Sequence, residues 1–204
     1  MIRDSRFEID DLESRISNLE SETMRQANVR FNYHDYQQLP EDKRYEILNG
    51  ELFVVPAPNI RHQRVAIRLQ LRLFQHVEKN GLGELLEAPC DVLLSEENVV
   101  QPDILFVAKA RLRIIGKTNI PGAPDLVVEI LSPGTRQKDL AIKRKIYARF
   151  GVQEYWIVDP DASTVEVLIR EKSGYITAGI YRESDRLSSP LLPKLNLPLR
   201  EIFA

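Results

Sequence analysis

The chain has 204 residues and an ordinary globular composition, 43% hydrophobic and 28% charged with a formal net charge of −2. That length allows one domain with a substantial core and is short for two. The near-neutral balance excludes a wholesale polycation of the histone kind but leaves room for a local basic surface, because counterion release depends on the groups that touch phosphate. Cys90 is the single cysteine, which excludes an intrachain disulfide and a Cys-based zinc site. Its flank, residues 87–92, reads as strand interior with an inert, buried thiol. No run of about 18 apolar residues is present, so no ordinary membrane span is expected. The charged N-terminus does not read as a signal peptide, and a reducing cytoplasm is the expected compartment.

Residues 1–24 differ in character from the rest. Ile9, Leu12, Ile16 and Leu19 recur at helical spacing with acids and serines between them. So short a seam is marginal alone, and the segment reads as a helical extension, either a coiled-coil seam or partly disordered. The domain proper is expected over 25–204. Residues 45–55 hold two β-prone runs around Asn49-Gly50, a strong hairpin signal. Asn59 is placed to cap an amphipathic helix over 60–79, which Asn80-Gly81 ends. Strands follow at 84–94, with Pro89 as an interruption, at 103–108 and at 126–131. The spacing then predicts a helix over 137–150 stopped by Gly151, a strand at 154–158, and a hairpin of 164–170 with 175–181. The tail, with Pro190, Pro193 and Pro198, is expected to be extended and to pack its apolar residues. This order predicts an α/β (α+β) fold, with a mixed central sheet flanked by helices and extra β-hairpins.

Two acids stand out against this background. Asp103 opens a strand whose next four residues are apolar, and Glu129 interrupts the run Leu126-Val127-Val128 and Ile130-Leu131. A carboxylate inside a buried strand is costly unless a cation, a metal or a proton compensates it. A structural ion pair would satisfy Glu129 as well as a metal would. Asp125 is a rival to Asp103, but it lies four residues from Glu129 on the same strand, with Cα atoms roughly 13 Å apart. Magnesium ligands must approach within about 2.1 Å, whereas neighbouring strands lie only about 4.8 Å apart. Asp103 is therefore the better partner for Glu129, and Asp125 reads as a strand-entry residue.

Projecting the helix at about 100° per residue puts Leu140, Ile142, Ile146, Tyr147 and Phe150 on one buried arc. Lys143 falls near its middle, Asp139 one turn earlier at its edge, placed to hydrogen-bond Lys143 or a metal-bound water, and Lys138 and Lys145 on the solvated side. An ammonium there must either snorkel or meet carboxylates. On the helix over 60–79, Arg61, Arg64, Arg68 and Arg72 share one sector, expected opposite the apolar face. Such a stripe suits phosphate tracking and equally describes a plain solvated face.

These residues resemble the PD-(D/E)XK nuclease pattern, and within it the Uma-type restriction-endonuclease family. The resemblance rests on residues 45–52, Pro58 with His62, residues 100–104 and 124–133, Asp139 through Lys143 to Tyr147, and residues 151–160. It spans roughly residues 30–204. It implies a restriction-endonuclease-like core, a magnesium ion for which manganese can substitute, and cleavage of DNA. Asp103 and Glu129 would hold the metal, and Lys143 would position the attacking water or stabilise transition-state charge. One departure matters: the superfamily lysine would stand two residues after the glutamate, where this chain has Leu131, and Lys143 takes over from the helix. Glu46 matches an acid of the first hairpin and would complete the metal site or stabilise the turn. His62, Asp139 and Gln101 are auxiliary candidates, His62 orienting a water or phosphate or simply packing. The aromatics of Glu154-Tyr155-Trp156 read as core. A homodimer is expected if both DNA strands are cut. Two alternatives stay open: a catalytically inactive binding or assembly module on the same fold, and a hydrolase of another phosphate ester.

Overall fold

Two cores, one on each face of a six-stranded sheet, organise the molecule. The computed structural model describes residues 29–204, so the expected helical extension over 1–24 lies outside the described residues. After a single-turn helix α1 (Tyr33–Tyr36) come strands β1 (Arg44–Leu48) and β2 (Glu51–Val55), then the long helix α2 (Ile60–Asn80). Strands β3 (Gly83–Glu87), β4 (Asp91–Ser95), β5 (Asn98–Val100), β6 (Ile104–Ala108), β7 (Asn119–Pro121) and β8 (Leu126–Ile130) follow. A π-helical segment (Lys138–Lys143) runs directly into helix α3 (Arg144–Phe150). Strands β9 (Glu154–Asp159), β10 (Thr164–Glu171) and β11 (Gly174–Arg182) come next, and then a tail with β12 (Arg186–Leu187), β13 (Leu197–Pro198) and the short helix α4 (Arg200–Phe203).

The central sheet has the order β11-β10-β9-β8-β6-β3, antiparallel except for the β8–β9 pair. That parallel pair is joined by α3, which makes a β-helix-β crossover. A second sheet, β2-β1-β5-β4-β7, covers one face. Strand alternation divides the side chains between the cores. Ile104, Phe106, Leu126, Val128 and Ile130 pack against Val65, Leu69, Leu73 and Val77 of α2, with the tail leucines closing the same layer. Leu105, Val107 and Val127 point the other way, to Leu48, Val92 and Ile120 of the second sheet and to Ile146 and Tyr147.

Local signals explain most boundaries. Asn49 and Gly50 both have positive φ, 53° and 81°, the geometry a two-residue hairpin turn needs. Asn59 accepts from the His62 amide at the start of α2, and Gly81 ends it in the left-handed region.

The expected strand over 84–94 is instead two strands in two different sheets, separated at Ala88–Pro89. Cys90 lies in that break and is half-buried, not in a strand interior. The strands β5 and β7, three residues each, are too short to carry a periodicity, so the sheet that they complete around the expected β1–β2 hairpin was not legible as one sheet. The helix expected over 137–150 also differs, since its first half is wound as a π-helix.

Leu69 is fully buried in the α2 layer. Leu69→Ala is expected to lower unfolding free energy by about 2–5 kcal/mol, seen as a lower urea midpoint with an unchanged denaturant slope.

Candidate functional site

Asp103 and Glu129 meet through strand register. Ile104 lies opposite Val128 across the antiparallel β6–β8 pair, and one further step sets Asp103 against Glu129. Asp125 is engaged elsewhere: its carboxylate accepts from the Ala108 amide at 2.8 Å and from Arg111 Nη1 at 2.7 Å. It closes the entry to β8.

Glu129 is buried, and one of its oxygens, Oε1, takes two donors. Lys143 Nζ lies 3.0 Å away and the Tyr147 hydroxyl 2.5 Å away. Lys143 also reaches Glu46 Oε1 at 2.9 Å and Asp139 Oδ1 at 3.4 Å, so its ammonium sits among three carboxylates. The side chains of Lys143, Glu46 and Asp139 are each 5% exposed or less. An ammonium has three N–H donors, and three acids face it.

The second-sheet side of the cluster is held by Gln101. Its backbone amide donates to Glu46 Oε1 at 2.8 Å, while its side chain accepts from Arg44 Nε and donates to Asp91. Tyr36 donates to the same Asp91 oxygen. Asp103 is held from both sides. Its Oδ2 accepts from the Ile130 amide at 2.7 Å and lies 3.2 Å from His62 Nε2. His62 is buried, and its Nδ1 has no hydrogen-bond partner among the described residues.

The resulting electrostatics are strained in one direction. Burial raises the Glu129 pKa well above the usual carboxylate range; Lys143 opposes that rise, and the nearby acids reinforce it. Burial raises Asp139 in the same way against the pull of Lys143. For Lys143, burial favours the neutral amine, but Glu129, Glu46 and Asp139 outweigh it and hold the pKa well above the ordinary lysine value. The ammonium is therefore charged throughout the physiological range and is not a proton acceptor.

Glu129 Oε2 and Asp103 Oδ1 make no protein hydrogen bond among the described residues. Both residues line a chamber of about 30 Å³ shared with Glu46, His62 and Lys143, room for about one water or ion. Two oxygens of hard carboxylates suit a magnesium-type cation that keeps several waters or phosphate oxygens as further ligands. Among the described residues, no set of three His, Cys, Asp or Glu side chains stands ready to hold a metal ion. Asp103 and Glu129 are the carboxylates left with an oxygen each for such an ion. Asp103, His62 and Arg44 also line a larger open cleft of about 520 Å³, bordered by Arg64, Ile67 and Glu87.

Several expectations are redistributed. Asp139, expected at the edge of the helix's buried arc, is fully enclosed and pairs with Lys143, while Leu140, placed on the buried arc, is 37% exposed. Lys138, placed in solvent, rests over the Phe53 ring at 4.6 Å. The cause is the π winding. Its longer hydrogen-bond spacing turns the chain through less angle per residue, which brings Asp139 into line with Lys143. The arginine stripe occupies one flank of α2, not the side opposite the core, where exposed Ile60, Ile67, Leu71 and Phe74 lie. Three of the four arginines face other parts of the chain: Arg72 pairs with Glu201, Arg68 donates to the Ile202 carbonyl and Arg61 lies 3.9 Å from Asp161. Arg64 alone of the four borders the cleft. Trp156 is fully buried and donates to Glu154, as core aromatics should. Tyr147 was read as an apolar arc residue, and only its hydroxyl, a polar tip on a buried ring, hinted at a role. Arg44 carried no signal at all.

The model of the Uma2 family, described as "Putative restriction endonuclease", matches residues 33–200. The chain belongs to the Uma2 family. This member is similar to the uncharacterized protein slr1290 of Synechocystis, 26% identical over 157 residues that cover 75% of this chain and 81% of that protein. In fold it is similar to a crystal structure described as a putative nuclease of the DUF820 group from Anabaena variabilis, with a TM-score of 0.70 and 22% identity. That match covers 85% of this chain and 97% of the other. The nuclease-like α/β fold is thereby shown for this Uma2 chain. No helix among its described residues is long and apolar enough to cross a membrane.

The raised carboxyl groups set a pH dependence. A group whose folded pKa is raised binds protons more tightly in the folded state, so stability falls as pH climbs from its unfolded value through the folded one. Without divalent ions, the melting temperature is expected to decline as pH rises from the ordinary carboxylate range upward. Glu129→Gln should flatten that decline, and an equal slope in both proteins would show that Glu129 does not cause it.

Proposed function

We propose that this protein is a divalent-metal-dependent endonuclease that hydrolyses DNA phosphodiester bonds, with Asp103 and Glu129 as the metal-holding carboxylates. The observation that carries this reading is the pair of uncommitted oxygens, Glu129 Oε2 and Asp103 Oδ1, on side chains whose other oxygens are locked by protein donors. Family membership supports the reaction class. A magnesium ion bound there would draw charge from the phosphate and lower the pKa of a bound water.

The residues of the chain supply the rest. Lys143 and Tyr147 fix the Glu129 carboxylate so that one oxygen points to the chamber, which spares reorganisation during the reaction. The Ile130 amide and His62 do the same for Asp103. Lys143 adds a permanent positive charge next to the place where negative charge develops. Arg44 and Arg64 border the cleft that leads to Asp103, where they can neutralise flanking phosphates.

The full-length protein should be incubated with single-stranded and duplex DNA and with RNA, in Mn²⁺ or Mg²⁺. Asp103→Asn is expected to lose about 10²-fold or more of the cleavage rate. Wild type and variant equally inert on every substrate would overturn the proposal and favour a binding module.

Binding can be tested separately. Arg64→Ala should weaken DNA binding to a similar extent for all sequences and reduce the steepness of its salt dependence by about one phosphate contact. An unchanged salt slope would remove Arg64 from the DNA path.

A further inference from the structure

The point where three carboxylates meet is filled by an ammonium. Glu46, Glu129 and Asp139 come from β1, β8 and the π-helical segment, and all three turn an oxygen to Lys143 Nζ, at 2.9, 3.0 and 3.4 Å. Asp139 Oδ1 is buried and makes no hydrogen bond of good geometry, although it faces that nitrogen. Its approach to the ammonium is a charge–charge contact. Three hard oxygens around one small cation is otherwise how a protein holds a divalent ion.

From this arrangement we infer that Lys143 is a built-in substitute for a second metal ion. Glu46 and Asp139 are positioning residues that hold the lysine, and the chain takes one divalent ion, on Asp103 and Glu129. The inference rests on the metal-site reading above and deepens it. Two features support it beyond the distances. The chamber lined by Asp103 and Glu129, and also by Glu46, Asp139 and Lys143, has room for about one ion beside the lysine, at about 30 Å³. Glu46 is steered to the lysine by the Gln101 amide, which binds the same oxygen, Oε1. The four acids would carry four negative charges, and Lys143 with one divalent ion returns three. A second divalent ion in place of the lysine would return four, so removing the ammonium leaves a vacancy that a metal can fill.

The test is Mn²⁺ binding to the full-length protein by calorimetry and by electron paramagnetic resonance of the bound ion. Wild type is expected to bind one ion. Lys143→Ala is expected to bind two, and a close pair of Mn²⁺ ions should show spin coupling that the wild type lacks. If Lys143→Ala folds only with metal present, its thermal transition should rise with Mn²⁺ concentration far more steeply than that of wild type. Glu46→Gln, made in the wild-type background, is expected to leave Mn²⁺ affinity within about threefold, because its partner is the lysine, whereas Asp103→Asn should lower it about tenfold or more.

Two ions in wild type, or a tenfold loss of affinity in Glu46→Gln, would overturn the inference. A Lys143→Ala protein that gains no ion by any of these measures would do so as well. Wild type that binds no divalent ion would overturn the nuclease reading instead. The role of the lysine would then be decided by whether Lys143→Ala acquires an ion that wild type does not take.

Discussion

The buried ammonium of Lys143 is the interaction on which the arrangement of this molecule depends. Apolar burial is non-directional and would let the two sheets slide over each other at modest cost. A lysine with three carboxylate partners does not permit that. Glu46 belongs to the second sheet, Glu129 to the central sheet, and Asp139 to the crossover helix. Each acid alone in that environment would be strongly disfavoured, and removing one partner of a buried pair typically costs about 3–5 kcal/mol. The two sheets and the helix are thus pinned at one point, and that point is beside Asp103. The same cluster carries more negative than positive charge, which is why burial drives Glu129 and Asp139 towards protonation and why a further cation is welcome.

The crossover connection explains how the lysine reaches this place. The strands β8 and β9 are parallel, so the chain must return over the sheet, and the π segment followed by α3 is that return. A lysine two residues after Glu129 would face the same side as the glutamate, since side chains alternate along a strand. In this chain that position is Leu131, buried in the second core. The ammonium descends from the helix instead, and the strand position is free to pack. The π winding then has a clear purpose. It aligns Asp139, Lys143 and Tyr147 above Glu129, with two of the three in direct hydrogen-bond contact with it.

How much of this was legible in the sequence depends on the range of the interaction. Asp103 and Glu129 could be paired from the sequence because strand spacing is universal and the competing Asp125 failed on distance along one strand. Lys143 could be found because a charge in the middle of an apolar arc is anomalous at any plausible helix geometry. The contact of Asp139 with Lys143 was legible from their spacing of four, but its depth was not, because a change of winding leaves no mark in hydrophobic spacing. The second sheet was legible only in its β1–β2 hairpin: β5 and β7 are three residues each, and β7 and one edge of β5 pair with strands distant in sequence. The Gln101 network that links Arg44, Tyr36 and Asp91 to Glu46 spans residues far apart in sequence, and no local pattern encodes it. The arginine stripe failed in the opposite sense. Its spacing was regular, but most of it secures other parts of the chain.

Depth within the cluster assigns different work to its acids. Glu46, Glu129 and Asp139 are almost wholly enclosed, whereas the Asp103 side chain keeps 18% exposure and lies on the wall common to the small chamber and the open cleft. A phosphate arriving through that cleft would meet Asp103 first. In the proposed reaction Asp103 and the free oxygen of Glu129 therefore handle the ion, while Glu46, Asp139 and the other Glu129 oxygen handle the lysine. His62 stands at the boundary, with one ring nitrogen on Asp103 and the other buried without a partner among the described residues. An Asp103 held by both a backbone amide and a histidine cannot rotate to offer its second oxygen elsewhere. The orientation of the outer acid is thus set by the strand end and by the first turn of α2, and that of the inner acids by Lys143.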